Sequence, residues 1–380
     1  MTQFVRGVGA QQPDTVTLPP VVVTANRIPT TVSALSSAVT VISGESLRAR
    51  GIATVADALR LTPGAAVIAT GSFGGQTSVF LRGGESDYVK VLIDGVPQNQ
   101  PGGFYDFANL GTEDVERIEI VRGPVSVLYG SDAVTGVVQV FTRSGIGRPS
   151  GRLAVGGGTY GTGWSTAEVR GSNGPFAWRS TASRRSTSGT YPVNSDDRRL
   201  LLGAGVRFVP DDRNRADLSV HYGDARYHFP TDGAGQISDS NQFTTDRGPS
   251  VSAEAAHTFS DRLSARTNLD WHREDSRFDD AADSPGDTSL FCCFHSRDVF
   301  NRLLIGARAD VRLPPTVTFT AGVEREVQRE TGTTLDTTRG NSGLYGQLLA
   351  GLGTAVTLTA GGRLDDNQQF GNHLTGRAGV

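Results

Sequence analysis

The sequence predicts an α+β domain followed by a transmembrane antiparallel β-barrel, with about the first half of the barrel strands present. Three observations carry this. The texture of the chain changes near residue 145. Beyond that point apolar and polar residues alternate with a strict period of two. The connections between the alternating segments are, after the first hairpin, short and long in turn.

Composition sets the frame. Hydrophobic residues make up 37% of the 380 and the mean hydropathy is -0.24, too polar for a helical membrane protein. A barrel is compatible, because its strands average out as polar. A net charge of -3 argues against a nucleic-acid partner. The two cysteines are adjacent, Cys292 and Cys293; a chain that crosses an oxidising periplasm tends to avoid thiols, and chance is the other reading. Met1–Arg6 is too short for an apolar leader, yet Val8-Gly9-Ala10 looks like the end of one. The expectation is that the gene starts further upstream.

The elements of the first part follow from local chemistry. Residues 1–30 form a flexible arm, polar and proline-bearing over 11–20, with a β-prone run at Val21-Val22-Val23-Thr24-Ala25. The next domain spans 31–145. Val39–Ile42 is a strand, and Ser43 caps a short helix that ends at Gly51. Thr54 with Asp57 three residues on opens a second helix, closed by Pro63-Gly64. Strands follow at Val79–Leu81, Val89–Ile93, Ile118–Val121 and Val137–Phe141.

Residues 146–380 carry only strand signals. Leu263, Ala265, Leu269 and Trp271 share one face, while Arg266, Asn268, Asp270 and His272 share the other. Val317, Phe319, Ala321 and Val323 likewise oppose Thr318, Thr320 and Glu324. A soluble sandwich also alternates, so the connections decide. Short turns are expected near 173–175, 211–214, 260–261, 314–315 and 351–354, and long loops over 187–197, 226–249, 275–297 and 329–340. Short periplasmic turns and long extracellular loops are the barrel rhythm; about twelve strands result.

Four stretches, in this order and spacing, carry a family resemblance: PVVVTANR at 20–27, VTVISGESLRARGIATVADALRLTPGAAV at 39–67, VFLRGGESDYVKVLIDGVPQN at 79–99, and VERIEIVRGPVSVLYGSDAVTGVVQVFT at 115–142. Together they resemble the plug of TonB-dependent outer-membrane receptors. RLDDNQQFGNH at 363–373 looks most like the cobalamin-receptor branch.

The resemblance implies an outer-membrane active transporter. It would import a large scarce ligand, such as cobalamin, a ferric siderophore or haem, with TonB and its inner-membrane energising complex as partner. Lipid surrounds the barrel, and the complete protein is expected to be monomeric. Val21–Ala25 resembles the TonB box, a segment that can add a strand to a partner sheet; a mere linker is the bland alternative. Arg82, Arg117 and Arg122 are expected to face carboxylates of the barrel wall, since buried charges must be paired; solvated surface charge is the alternative. Phe73, Gln76, Gln98, Asn99, Phe104 and Tyr105, on apical loops, are candidate ligand contacts, each of which could instead be a packing residue.

Other readings stay open. Asp196 and Asp197, with Asp279, Asp280, Asp283 and Asp287, offer carboxylates for Ca²⁺ in extracellular loops, though solvated charge carries more weight. No cofactor is required. Cys292, Cys293 and His295 are one ligand short of a zinc site, and a vicinal disulfide or a ligand-contacting loop tip is as plausible. No nucleophile elbow, phosphate loop or metalloprotease motif supports an enzyme. The functional alternatives are a surface receptor or sensor without transport, and a passive porin. Plugged transporters have about 22 strands, so the gene is expected to continue for roughly 200 residues.

Overall fold

The structure, a computed structural model, describes residues 22–23, 27, 30–31, 35–231, 235–286, 292–313, 316–333, 335–353 and 356–380. In the N-terminal segment β1 (Val22–Val23) pairs antiparallel with β2 (Thr30–Thr31), Val22 opposite Thr31 and Val23 opposite Thr30. Within the arm expected to be flexible, these residues thus form one two-residue main-chain ladder. Val21, Thr24 and Ala25 lie outside the described residues.

The inner domain contains β3 (Ala38–Ser43), α1 (Gly44–Ala49), α2 (Val55–Leu59), β4 (Ala65–Ala69), β5 (Thr77–Leu81), β6 (Val89–Ile93), β7 (Val96–Pro97), β8 (Val115–Arg122), α3 (Ser126–Tyr129) and β9 (Gly136–Thr142). Both predicted caps are made. Ser43 Oγ accepts from Ser46 N–H at 3.1 Å, and Thr54 Oγ1 accepts from Asp57 N–H at 3.1 Å while donating to the Asp57 carboxylate at 2.7 Å. The helices are short, so their stability comes from the faces they bury. Leu47, Val55 and Leu59 pack with Val79, Leu81, Val91, Ile118 and Ile120 in one core. The sheet runs β3-β8-β9-β6-β7, with β6 and β9 parallel. Between β6 and β7, Asp94 and Gly95 both have positive φ, 48° and 93°. Asp-Gly suits such a two-residue hairpin turn, and the turn projects the Asp94 carboxylate beyond the sheet edge.

Around this domain stands a wall of twelve strands in chain order among the described residues. They are β10 (Ser150–Gly157), β11 (Gly163–Asn173), β12 (Phe176–Thr187), β13 (Asp197–Phe208), β14 (Asn214–His228) and β15 (Phe243–Ser260). Then follow β16 (Leu263–Asp279), β17 (His295–Leu313), β18 (Val317–Thr331), β19 (Asp336–Leu352), β20 (Val356–Asn367) and β21 (Gly371–Gly379). Every neighbouring pair is antiparallel.

The faces are inverted relative to a soluble sheet. Leu202, Leu218, Leu269, Ile305, Phe319 and Leu348 are exposed, whereas Thr181, Asp270, Arg302, Thr320, Gln347 and Arg363 are buried. An apolar outside and a polar inside is the pattern of a wall that meets lipid outwardly and a polar plug inwardly. No helix among the described residues is long and apolar enough to cross a membrane.

The long connections are shorter than expected. The loop expected over 329–340 shrinks to 332–335, because β18 runs to Thr331 and β19 starts at Asp336. The reason is strand length. β17 has 19 residues, whereas about 9–11 suffice to cross a bilayer, so the strands continue past the membrane and absorb what reads as loop.

Candidate functional site: the plug–wall interface and its apical cavity

The inner domain is tied to the wall by charge. Asp94 sits at the centre of one such cluster, with Arg179, Asp114 and His221. Its carboxylate accepts from Thr142 N–H at 2.9 Å, Arg179 Nη2 at 3.1 Å and Ser219 Oγ at 3.0 Å, and it contacts His221 Nε2 at 3.0 Å. Arg179 also donates to Asp114. Burial pushes the Asp94 carboxyl up, but the hydrogen bond and charge of His221, with the charge of Arg179, outweigh it and hold the group well below the usual carboxylate range. Glycines make room: a Cβ at Gly205 would lie 2.9 Å from Arg179 Nε, and one at Gly203 would lie 3.0 Å from Asp114 Oδ2. These two inward positions of β13 thus let the Arg179 guanidinium lie across the wall.

Three further ties repeat the pattern. Arg143 of the plug pairs with Glu168 of β11, both buried. Arg27 donates to Glu324 of β18, whose second oxygen takes Arg363 Nη1 at 3.0 Å. Arg302 of β17 donates to the carbonyls of Asn99 at 2.7 Å and Pro97 at 3.2 Å.

These are not the arginines picked from the sequence. Arg117 donates to Glu119 at 2.8 Å and stacks on Phe141 at 3.8 Å. Arg122 reaches the Pro63 carbonyl and Thr40 Oγ1. Arg82, at φ 53° in the turn after β5, lies beside Gly123. Among the described residues none of the three pairs with a wall carboxylate, so the expectation for Arg82, Arg117 and Arg122 is corrected. The cause is local: each guanidinium meets a closer partner or neighbour inside the plug.

On the long-loop side a cavity of about 530 Å³ opens between plug and wall. Gln76, Gln98, Phe104 and Tyr105 of the candidate ligand residues line it, with Tyr227 and His272 from the wall. Burial, then the charges of Asp106 and Glu274, push the Tyr105 hydroxyl above its ordinary range, so it acts as a neutral donor. Phe73 stands apart, its ring 6.0 Å from Tyr160. Asn99 is fully buried and serves the backbone: its Oδ1 accepts from Val91 N–H at 2.8 Å, and its Nδ2 donates to Val89 O at 2.9 Å and Gly103 O at 2.6 Å. Tyr227 OH accepts from Ser72 N–H at 3.1 Å, and Gly71 leaves it room.

The loop carboxylates do not converge. Asp197 is buried against Arg199, 3.1 Å from its Nε, and Asp196 contacts His228. The Arg199 guanidinium and the His228 ring therefore occupy oxygens that Ca²⁺ would need. Among the described residues no three His, Cys, Asp or Glu side chains group to hold a metal ion. Asp283 accepts from Ser240 N–H at 3.0 Å and Asn241 Nδ2 at 2.9 Å, while Asp287 lies outside the described residues. Cys292 and Cys293 are joined as a vicinal disulfide.

Comparison with known proteins agrees with this build. Residues 31–137 match the model of the TonB-dependent Receptor Plug Domain. The chain is 36% identical over 139 residues to the Vitamin B12 transporter BtuB of Vibrio vulnificus, covering 37% of this chain and 23% of that one. It is 34% identical over 158 residues to the Vitamin B12 transporter BtuB of Photobacterium profundum, covering 41% and 26%. The match thus spans about a quarter of each curated relative. Among solved structures it shares the fold of the ferric yersiniabactin uptake receptor FyuA from Yersinia pestis, with a TM-score of 0.71 at 18% identity, covering 90% of this chain and 60% of that one. Relatives of this build are outer-membrane β-barrels, and the exposed apolar wall face places this chain there too. A plug domain matched by family over residues 31–137 and a strand wall of the same fold, joined in one chain, give this protein the build of the TonB-dependent receptors, with a resemblance to their cobalamin branch.

Proposed function

We propose that the protein is an outer-membrane active transporter. A large scarce ligand, such as cobalamin, a ferric siderophore or haem, enters the cavity on the long-loop side. TonB, driven by its inner-membrane complex, engages the N-terminal segment around Val21–Ala25 and draws the plug aside. No covalent chemistry is involved. The observation that carries this reading is the plug itself, tied inside the wall by separable charge pairs such as Arg179 with Asp94 and Asp114. A passive pore has no use for a tied plug. The relatives named as vitamin B12 transporters support cobalamin as the first ligand to try.

The test is uptake of radiolabelled cyanocobalamin, and of a panel of ferric siderophores, by cells carrying the full-length protein. Uptake is expected to vanish without TonB or with a protonophore. Uptake that persists under both would identify a passive channel, and surface binding without uptake would identify a sensor.

A further inference from the structure

On the import reading the cavity receives the ligand, and its wall shows which chemical group that ligand carries. Wall side chains alternate, so Asp246 of β15 and Glu274 of β16 share the inward parity of buried Ser250 and His272. Arg247 and Arg273, of the opposite parity, border the cavity as well, and Arg273 donates to Asn301 Oδ1 at 3.2 Å. Asp106 joins them from the plug, and the inward Arg199 is already held by Asp197. Burial raises the Asp106 carboxyl above its ordinary value, against the pull of the N–H groups of Thr77 and Ala108, and the charge of Glu274 adds to that rise. The cavity therefore presents more carboxylate than free cation.

His272 gives an independent sign. Its side chain is only 9% exposed. Gln98 Nε2 is committed to Val96 O at 3.0 Å, so Gln98 Oε1 faces Ser250 and accepts its single proton at 3.3 Å. Ser250 Oγ must then accept from His272 Nδ1–H, 2.8 Å away. In the neutral ring this leaves Nε2 as an acceptor. That nitrogen has no hydrogen-bond partner and faces Glu274 Oε2 at 3.8 Å. Two acceptors facing each other in a buried site are unfavourable. The gap is too long for a direct bond, but a donor seated between them can reach both.

We propose that His272 Nε2 and Glu274 bind a protonated primary amine of a ferric siderophore, the one of the three ligand classes that can carry such a group. The ammonium donates one N–H to the ring nitrogen and a second to the carboxylate, and Asp246 and Asp106 supply the surrounding negative potential. A third N–H remains for a group of the ligand or a water. Such a site favours ligands with an ammonium group and disfavours polyanionic chelates.

The experiment measures binding of two ferric trihydroxamate chelates to the full-length protein in detergent. The two are of one size, one ending in a free ammonium and the other in its N-acetyl twin. The ammonium form is expected to bind about tenfold more tightly at neutral pH. Gln100 Nε2 donates to Glu274 Oε1, and Glu274→Gln, nearly isosteric and still able to accept that bond, is expected to cut the preference below about twofold while leaving the acetyl twin unchanged. His272→Asn is expected to weaken the preference in the same direction, and heat-modifiable migration checks that each variant is folded. Equal binding of the twins, binding by neither, or a preference that survives Glu274→Gln overturns the proposal. Energised uptake is scored separately: an ammonium preference without TonB-dependent uptake would sink the import reading and leave the site standing.

Discussion

Arg27 and Glu324, 297 residues apart, are joined by a charge-assisted hydrogen bond that anchors the chain just after the β-prone Val21–Ala25 run to strand β18. Arg27 also donates to Tyr345 OH at 3.1 Å and lies 5.0 Å from the Tyr129 ring centroid. Burial works against the guanidinium's charge, but Glu324 and the two phenol rings outweigh it and hold the group protonated above its ordinary range. The bond after Arg27 is a trypsin site shielded by this pairing. Glu324→Gln keeps the shape and removes the charge, so tryptic cleavage after Arg27 in the folded protein should accelerate at least about tenfold, the effect of losing a partly dry ion pair. Mass spectrometry of the released N-terminal fragment reads the rate; an unchanged rate would show that the contact does not hold the segment.

Asp94 sets a pH dependence. Its folded carboxyl is depressed, so its stabilising contribution is complete above the unfolded value, about pH 4, and is lost only as pH falls through the lower folded value. Leak of small ions through the plugged barrel should therefore stay flat, as far as this contact decides it, from pH 8 to about 4. Asp94→Asn cannot take the charge and leaves Arg179 with Asp114 as its remaining carboxylate. It should leak more at every pH in that window, by the effect of about 2–4 kcal/mol. Planar-bilayer conductance is the measurement, and an Asp94→Asn leak that tracks the wild type would remove the latch.

Arg143 and Glu168 are both buried, so truncating either leaves a charge stranded. Arg143→Ala should loosen the plug by roughly 3–5 kcal/mol, while Arg82→Ala, which removes no ion pair to the wall, should leave conductance at the wild-type level. A larger leak from Arg82→Ala than from Arg143→Ala would restore the arginines of the sequence motifs to the interface.

Asn99 holds three backbone groups of the plug. Asn99→Ala strands them and should destabilise the plug by about 3 kcal/mol, seen as faster hydrogen exchange in Val89–Ile93. Gln98→Ala should leave that exchange unchanged. Slow exchange in Asn99→Ala combined with lost ligand binding would mark Asn99 as a ligand contact after all.

The wall was legible because a period of two is a physical necessity of a sheet with one face in lipid: Leu269 and Trp271 against Asp270 and His272 read as they fold. The caps at Ser43 and Thr54 were legible for the same local reason. The plug–wall partners were not. Asp94 and Arg179 lie 85 residues apart, and their meeting depends on how the inner domain is turned inside the wall, which no local pattern encodes. Two signals were available. Arg117 and Glu119, two apart on one strand, share a face and satisfy each other. Gly203 and Gly205, alternate inward positions of one strand, mark where a long wall side chain needs room. Loop lengths misled because polar strand extensions beyond the membrane read as loop, as at Asp336–Gly340.

The most direct measurement of energised import compares surface binding and uptake of the same labelled ligand, the cyanocobalamin or ferric siderophore that wild-type cells import, in the same cells, for wild type, Val22→Ala and Val22→Pro in the full-length protein. Proline has no N–H to offer a partner strand, whereas alanine keeps the main-chain ladder. Val22→Pro should bind at the wild-type level and take up no more than TonB-deficient cells, and Val22→Ala should retain most uptake. Uptake by Val22→Pro at the wild-type rate would contradict import through this segment and reduce residues 21–25 to a linker.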